Sequence, residues 1–148
     1  MTTLTVNNIN YALTRSGSGT PLVLLHGFTG SSVNWQHIIP SLAQSHSVIA
    51  PDILGHGSTD SPPDSHRYRM EYVAHDIVTA IRAMTTSPIT LLGYSMGGRL
   101  ALYIAANYPK VVNHLILESA SPGLQTTPEQ AERRQKDNTL ADNIAQNG

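Results

Sequence analysis

Ile89-Thr90-Leu91-Leu92-Gly93-Tyr94-Ser95-Met96-Gly97-Gly98-Arg99 passes from a short apolar run, through a turn of small residues, into a segment with helical spacing. Ile89 to Leu92 has the unbroken apolar character of a strand buried on both faces. Gly97 to Tyr108 places Leu100, Ile104 and Ala105 on one helical face, and Pro109 closes the helix. The G-x-S-x-G between them lies where a strand must turn sharply into a helix. Small residues on either side of Ser95 let the two elements approach, and the turn lifts the Ser95 hydroxyl above the sheet edge. The helix N-terminus beneath offers free N–H groups and partial positive charge. Five residues of this pattern also occur in Gly-rich structural turns. The buried strand before it and the capped helix after it favour a nucleophile.

Working outward, the same apolar strand pattern recurs at Pro21–Leu25, Ser47–Ala50 and Leu115–Leu117. Thr3–Val6 and Ile9–Thr14 read as a hairpin with period-two apolar residues, turned by Asn7-Asn8. Met70 to Met84 sets Val73, Ile77, Ala80, Ile81 and Met84 on one helical face. Buried strands alternating with amphipathic helices predict an α/β fold with a doubly wound, mostly parallel sheet. From Thr126 the chain is polar and helix-prone, which divides it into a core over 1–125 and the start of a helical cap over 126–148.

Composition narrows the function. A chain of 148 residues with net charge −1 and no basic run gives no sign of nucleic-acid or membrane-surface binding. The absence of cysteine excludes disulfides, thiolate metal sites and a Cys nucleophile. The seven histidines show no metal-ligand spacing. Met1 to Arg15 has neither a basic nor an apolar leader region, and no apolar stretch reaches the ~20 residues of a membrane span, so a cytoplasmic protein is expected.

Two further motifs follow strands. His26-Gly27-Phe28 succeeds Leu22–Leu25, and Pro51-Asp52-Ile53-Leu54-Gly55-His56-Gly57-Ser58 succeeds the next strand. Asp52 and His56 read more simply as loop architecture than as catalytic groups, since Asp can accept backbone hydrogen bonds in a glycine-rich turn. These signatures, in this order over Leu4 to Ser121, resemble the α/β-hydrolase superfamily. The resemblance implies Ser95 as nucleophile and the backbone N–H groups of Phe28 and Met96 as an oxyanion hole. It also marks His26, Gly27 and Tyr94 as candidate substrate contacts, with His26 read as a loop histidine that fixes backbone by hydrogen bonds rather than as an acid or base.

Ser95-Met96-Gly97-Gly98-Arg99, Glu118-Ser119-Ala120-Ser121-Pro122-Gly123-Leu124 and Glu132-Arg133-Arg134-Gln135-Lys136-Asp137 together resemble one branch of that superfamily. Its members are lyases that eliminate pyruvate from 2-succinyl-5-enolpyruvyl-6-hydroxy-3-cyclohexene-1-carboxylate in menaquinone biosynthesis. The resemblance implies a small polycarboxylate substrate and no cofactor or metal. Arg99, four residues beyond Ser95, belongs on the same helix face, and its side chain leans back toward the nucleophile. An Arg fork suits a carboxylate; the alternative for Arg99 is an ion pair with Glu118 or another local acid. Arg133 is the second candidate anion contact, and Arg134 should face elsewhere. The ordinary alternative for both is a solvated charged helix. A serine hydrolase of small esters and a non-catalytic binding module share the elbow and remain open.

The superfamily's triad runs Ser, then Asp or Glu, then His. Only His114 follows Ser95, and it begins a strand whose far end, near Glu118, approaches the site. Four steps of ~3.3 Å put it roughly 13 Å from that end. The acid and base are therefore expected in sequence beyond Gly148, with the fold truncated after the start of the cap.

Overall fold

The computed structural model describes residues 1–147. Six strands form one sheet: β1 (Thr2–Val6), β2 (Ile9–Ser16), β3 (Thr20–Leu25), β4 (His46–Pro51), β5 (Ile89–Tyr94) and β6 (Val112–Glu118). Their spatial order is β1-β2-β4-β3-β5-β6. β2 is antiparallel to both β1 and β4, and β4, β3, β5 and β6 are mutually parallel. The mostly parallel α/β sheet follows the sequence expectation. Asn7 and Asn8 turn the hairpin with φ of 50° and 62°, the left-handed conformation Asn tolerates.

Alternation along β3 builds two cores. Val23 and Leu25 join the larger cluster with Ile77 and Ile81 of α2 (Met70–Met84) and Leu100 and Ile104 of α3 (Met96–Asn107). Leu22 and Leu24 face the other way, onto Val48, Ala50 and Ile39 of the short α1 (Ile39–Leu42). α2 occupies the span its periodicity predicts. Neither α1 nor the 3-10 turns at Ser32–Trp35 and Ser65–Tyr68 carries a periodic signal long enough to read in sequence.

The apolar run of β6 is that of a strand buried on both faces, and a fold truncated after the start of the cap should leave it as an exposed edge; Ile116 is 46% and Leu117 40% exposed. Among the described residues β6 pairs only with β5, so it is an edge strand, and of its residues Val112 and Leu115 pack on the larger core. An apolar edge with free N–H and C=O groups is a template for pairing with another chain. Gel filtration of the 148-residue chain should therefore show larger species as concentration rises, and Leu117→Lys should suppress them. A single concentration-independent monomer peak for the unmodified chain would contradict this reading.

α4 (Thr127–Asn147) buries no residue. Local interactions sustain it. Thr126 and Glu129 form reciprocal cap contacts, Thr126 Oγ1 donating to Glu129 Oε2 at 2.6 Å. Lys136–Glu132 and Arg133–Asp137 pair at helical spacing.

A buried polar clip fastens the hairpin to α2. Asp76, with no exposed surface, accepts from Tyr11 Oη at 2.9 Å, Asn7 Nδ2 at 2.7 Å and Arg67 Nη2 at 2.6 Å. Burial, reinforced by the Asp76 carboxylate, pushes the Tyr11 phenol far up, so it acts only as a neutral donor. The clip also ties down the segment before α2 through Arg67.

Candidate functional site

Ser95 sits between β5 and α3 with φ 51° and ψ −110°, a conformation side-chain-bearing residues rarely adopt. Its N–H donates to the Glu118 carbonyl at 2.9 Å, and its own carbonyl accepts from Gly98 and Arg99 N–H at 3.1 and 3.2 Å. Strand and helix hold the strained residue from both sides. A Cβ at Gly93 would strike the Gly97 carbonyl, and one at Gly97 would strike the Leu25 and His26 carbonyls. The glycines are thus required by close backbone approach, as the elbow pattern predicts.

β3 delivers the opposing wall. Its last residue, Leu25, lies in register with Gly93, so the 26–28 loop emerges beside the elbow. His26 has no exposed surface. Its Nδ1 lies 2.8 Å from the Gly27 carbonyl, and its Nε2 accepts from Ile53 N–H at 2.9 Å. The ring therefore needs its proton on Nδ1 and has no group left for a substrate. This corrects its candidacy as a substrate contact and places it as a pin between the β3 and β4 loops. Burial first, and then nearby His56, lowers its pKa from 6.5; the Gly27 carbonyl and Asp52 act in the opposite direction. Asp52 is likewise architectural, accepting from Ser32 N–H at 2.6 Å and Ser58 N–H at 2.8 Å. His56 is tied to the Leu54 carbonyl at 3.1 Å.

A histidine with a depressed folded pKa binds fewer protons folded than unfolded. Its stabilising contribution is complete above pH 6.5 and is lost as pH falls through that value toward the folded pKa. The stability lost is bounded by about 1.4 kcal/mol per pH unit in that window, the limit for one proton. Urea melts between pH 7.5 and 5 should show stability falling with pH, and His26→Asn should make that fall shallower. An unchanged slope in the variant would exclude His26 as its source.

Phe28, Ser95, Met96, Arg99 and Arg133 line one cavity of about 420 Å³, roofed by Leu140 and Ile144 of α4. The structure thus unites five of the residues singled out in sequence. The N–H groups of Phe28 and Met96 have no acceptor among the described residues. Arg99 is exposed and makes no ion pair among the described residues, so the alternative of pairing with Glu118 or another local acid is not realised. Arg133 is held through Nε by Asp137, at 2.8 and 2.9 Å from its two oxygens. Arg134 does not line the cavity. Asp137 belongs to the cap motif quoted from the sequence, and its pairing with Arg133 follows from R-x-x-x-D at helical spacing.

Tyr94 and Gly27 belong to a neighbouring cavity of about 440 Å³ that reaches Trp35, Ile116 and Glu118. The Tyr94 ring packs so closely on Gly27 that a Cβ there would lie 2.9 Å from its Cδ1. Both residues border the site without facing the Ser95 cavity.

No described histidine hydrogen-bonds to Ser95. His114 pairs with Thr90, while Glu118 pairs with Tyr94, so His114 lies four residues down the strand, as the spacing predicts. Glu118 at the strand end accepts from Ser119 Oγ at 3.0 Å. No helix among the described residues is long and apolar enough to cross a membrane.

A family model described as alpha/beta hydrolase fold matches residues 20–148. The chain is 40% identical, over 96% of its length and 52% of the relative's, to a Bacillus subtilis (strain 168) protein described as a candidate 2-succinyl-6-hydroxy-2,4-cyclohexadiene-1-carboxylate synthase. It is also 40% identical to the 2-hydroxymuconate semialdehyde hydrolase of Pseudomonas sp. (strain CF600), over 69% of this chain and 37% of that protein. Among solved structures, an epoxide hydrolase from Vigna radiata superposes with TM-score 0.75 at 26% identity, over 78% of this chain and 37% of the other. The chain spans about half, or less, of the length of these relatives.

Proposed function

Because the chain belongs to the α/β-hydrolase fold family, we propose that its Ser95 serves a lyase acting on a cyclohexene polycarboxylate. Pyruvate is eliminated from 2-succinyl-5-enolpyruvyl-6-hydroxy-3-cyclohexene-1-carboxylate, giving 2-succinyl-6-hydroxy-2,4-cyclohexadiene-1-carboxylate. The observation that carries this reading is the unpaired Arg99 guanidinium in the cavity that holds Ser95. A neutral ester needs no such cation, whereas a carboxylate matches its fork. The 40% identity to the Bacillus subtilis protein supports the same choice.

In this mechanism a His from outside these 148 residues takes the Ser95 proton, and the Ser95 oxygen removes a ring proton. The electron pair left on the ring forms the new double bond as the ring carbon–oxygen bond to the enolpyruvyl group breaks. That group departs as pyruvate enolate and is protonated to pyruvate. The enolate-like charge developing on the substrate is held by the Phe28 and Met96 N–H groups. Arg133 contributes the Nη atoms left free by Asp137, which engages only Nε. In this reading residues 1–125 carry the reacting groups and 126–148 begin a cap that closes the cavity.

The same elbow fits a serine hydrolase of small esters, and the Pseudomonas relative named as a hydrolase favours that second reading. Arg99→Ala separates the two. Losing a hydrogen bond to a charged group costs about 1.5–3 kcal/mol, roughly ten- to a hundredfold in kcat/KM. With the acid and His supplied, the variant should lose that factor for the polycarboxylate and far less for a neutral ester. Equal losses for both substrates, or none, at an unchanged Tm would remove the charge argument.

A further inference from the structure

Among the described residues α4 carries two ion pairs at i,i+4 spacing, and they differ in direction and in surroundings. Glu132–Lys136 sets the acid toward the helix N-terminus, the order that stabilises a helix more. Its side chains are exposed, and neither lines the Ser95 cavity. Arg133–Asp137 runs the opposite way, cation first, the weaker order for a helix. Both of its residues line the cavity. Helix stability therefore accounts for the first pair and not for the placement of the second.

Asp137 belongs to the stripe Arg133, Asp137, Leu140, Ala141 and Ile144, which steps along one face of α4 and borders the same cavity as Ser95 and Arg99. An acid on that stripe sets a negative charge where a substrate carboxylate is proposed to bind, and Coulomb repulsion alone disfavours it there. Its bonds show what it does. Both of its oxygens lie on Arg133 Nε, at 2.8 and 2.9 Å, and neither bonds an Nη. Arg133 thus keeps the edge of its fork that carries the two Nη groups, which can meet a carboxylate through two parallel hydrogen bonds. The edge that combines Nε with one Nη is taken. Arg133 needs such a holder because α4 buries no residue, so no packed neighbour confines its long side chain. Arg99 rises from α3, which is seated in the core through Leu100 and Ile104.

We propose that Asp137 is a positioning residue, which turns the two Nη groups of Arg133 toward the Ser95 cavity and presets them for a substrate carboxylate. The ordering of that side chain is then met in the free protein rather than on binding. That the carboxylate belongs to a cyclohexene polycarboxylate rests on the lyase reading; the presetting of Arg133 does not. Two roles for Asp137 predict opposite signs. If it acts only as a negative charge in the cavity, removing it tightens anion binding. If it positions Arg133, removing it loosens binding.

The 148-residue chain, labelled with nitrogen-15 and kept at a concentration where it runs as a monomer, is titrated with succinate. Binding is read at the Nε–H resonances of Arg99 and Arg133. Asp137→Ala should raise the dissociation constant about two- to tenfold, the cost of ordering one long side chain on binding. Asp137→Asn leaves an acceptor oxygen for Nε and should bind at least as tightly as the unmodified chain. In an Arg133→Ala background, Asp137→Ala should no longer weaken binding. Glu132→Ala, which breaks the other pair of α4, should not weaken it either. In a protein that also carries the acid and His, KM for the polycarboxylate should follow the same order, with kcat held within about twofold. The assignment is overturned by any of five results: no saturable succinate binding, an Asp137→Ala chain that binds as tightly as the unmodified one or tighter, loosening that persists without Arg133, Asp137→Asn as weak as Asp137→Ala, or equal weakening by Glu132→Ala. Absence of lyase turnover with the succinate order intact would count against the lyase reading alone.

Discussion

Residues 1–148 alone should turn over the cyclohexene polycarboxylate on the order of 10⁴-fold more slowly than a protein in which the acid and His accompany them, the scale on which a disabled triad loses kcat. The reason is geometric. Ser95 is presented on a strained turn with unengaged N–H groups beside it, but no described imidazole hydrogen-bonds to its hydroxyl. His26 is locked between Gly27 and Ile53, His56 is tied to Leu54, and His114 lies down the strand. A neutral hydroxyl is a weak base and a weak nucleophile without a partner to take its proton. The measurement is single-turnover pyruvate release by the chain with and without the complementary residues, with Ser95→Ala as background. A rate for the chain alone within about tenfold of the complete triad would mean that one of its own histidines reaches Ser95, and the proposed mechanism would fail.

The second large effect is on stability. Gly97→Ala should cost roughly 3 kcal/mol, the upper part of the range for forcing atoms into packed structure. In a domain of this size that lowers Tm by about 10 °C. The added methyl would meet the Leu25 and His26 carbonyls, which are backbone atoms of a central strand and its loop and cannot rotate away. The helix would have to lift off the sheet, carrying Met96 and Arg99 with it. Gly30→Ala is the comparison, since its nearest neighbour is the Asn34 side-chain oxygen, at 2.8 Å from the added carbon, and a side chain can move. Thermal melts of the two variants should rank Gly97→Ala well below Gly30→Ala. Equal melting temperatures would show that the α3–β3 approach is not tight.

The parts of this molecule that read clearly from sequence are those in which one periodicity dominates. Val73, Ile77 and Ile81 recur at helical steps, and α2 spans Met70–Met84 as they predict. The elbow was equally plain because its glycines, its strand and its helix all require the same turn. The exposure of β6 takes more than its own residues to read: Leu115-Ile116-Leu117 states only that they are apolar, and the edge follows from the truncation of the fold after the start of the cap. The pin formed by His26 was half legible, since its position after β3 was evident but its bond to Ile53 spans 27 residues. The seat of Tyr68 over Gly55 was not legible, resting on a 3-10 turn, a positive-φ glycine and a buried ion pair at Arg67 that no local pattern connects.

The strand order has a consequence in time. β3 lies between β4 and β5, and the loop at its end faces the elbow. β4 follows β3 closely in the chain, so one edge of β3 can pair early. Its other edge must wait for β5, about 70 residues later, which at ~5–20 residues per second of synthesis is several seconds. Through that interval Leu22 to Leu25, the most apolar strand of the sheet, presents an open edge on the emerging chain. The strand whose last residue lies in register with Gly93 of the elbow is therefore one whose apolar edge stays open until β5 has been made.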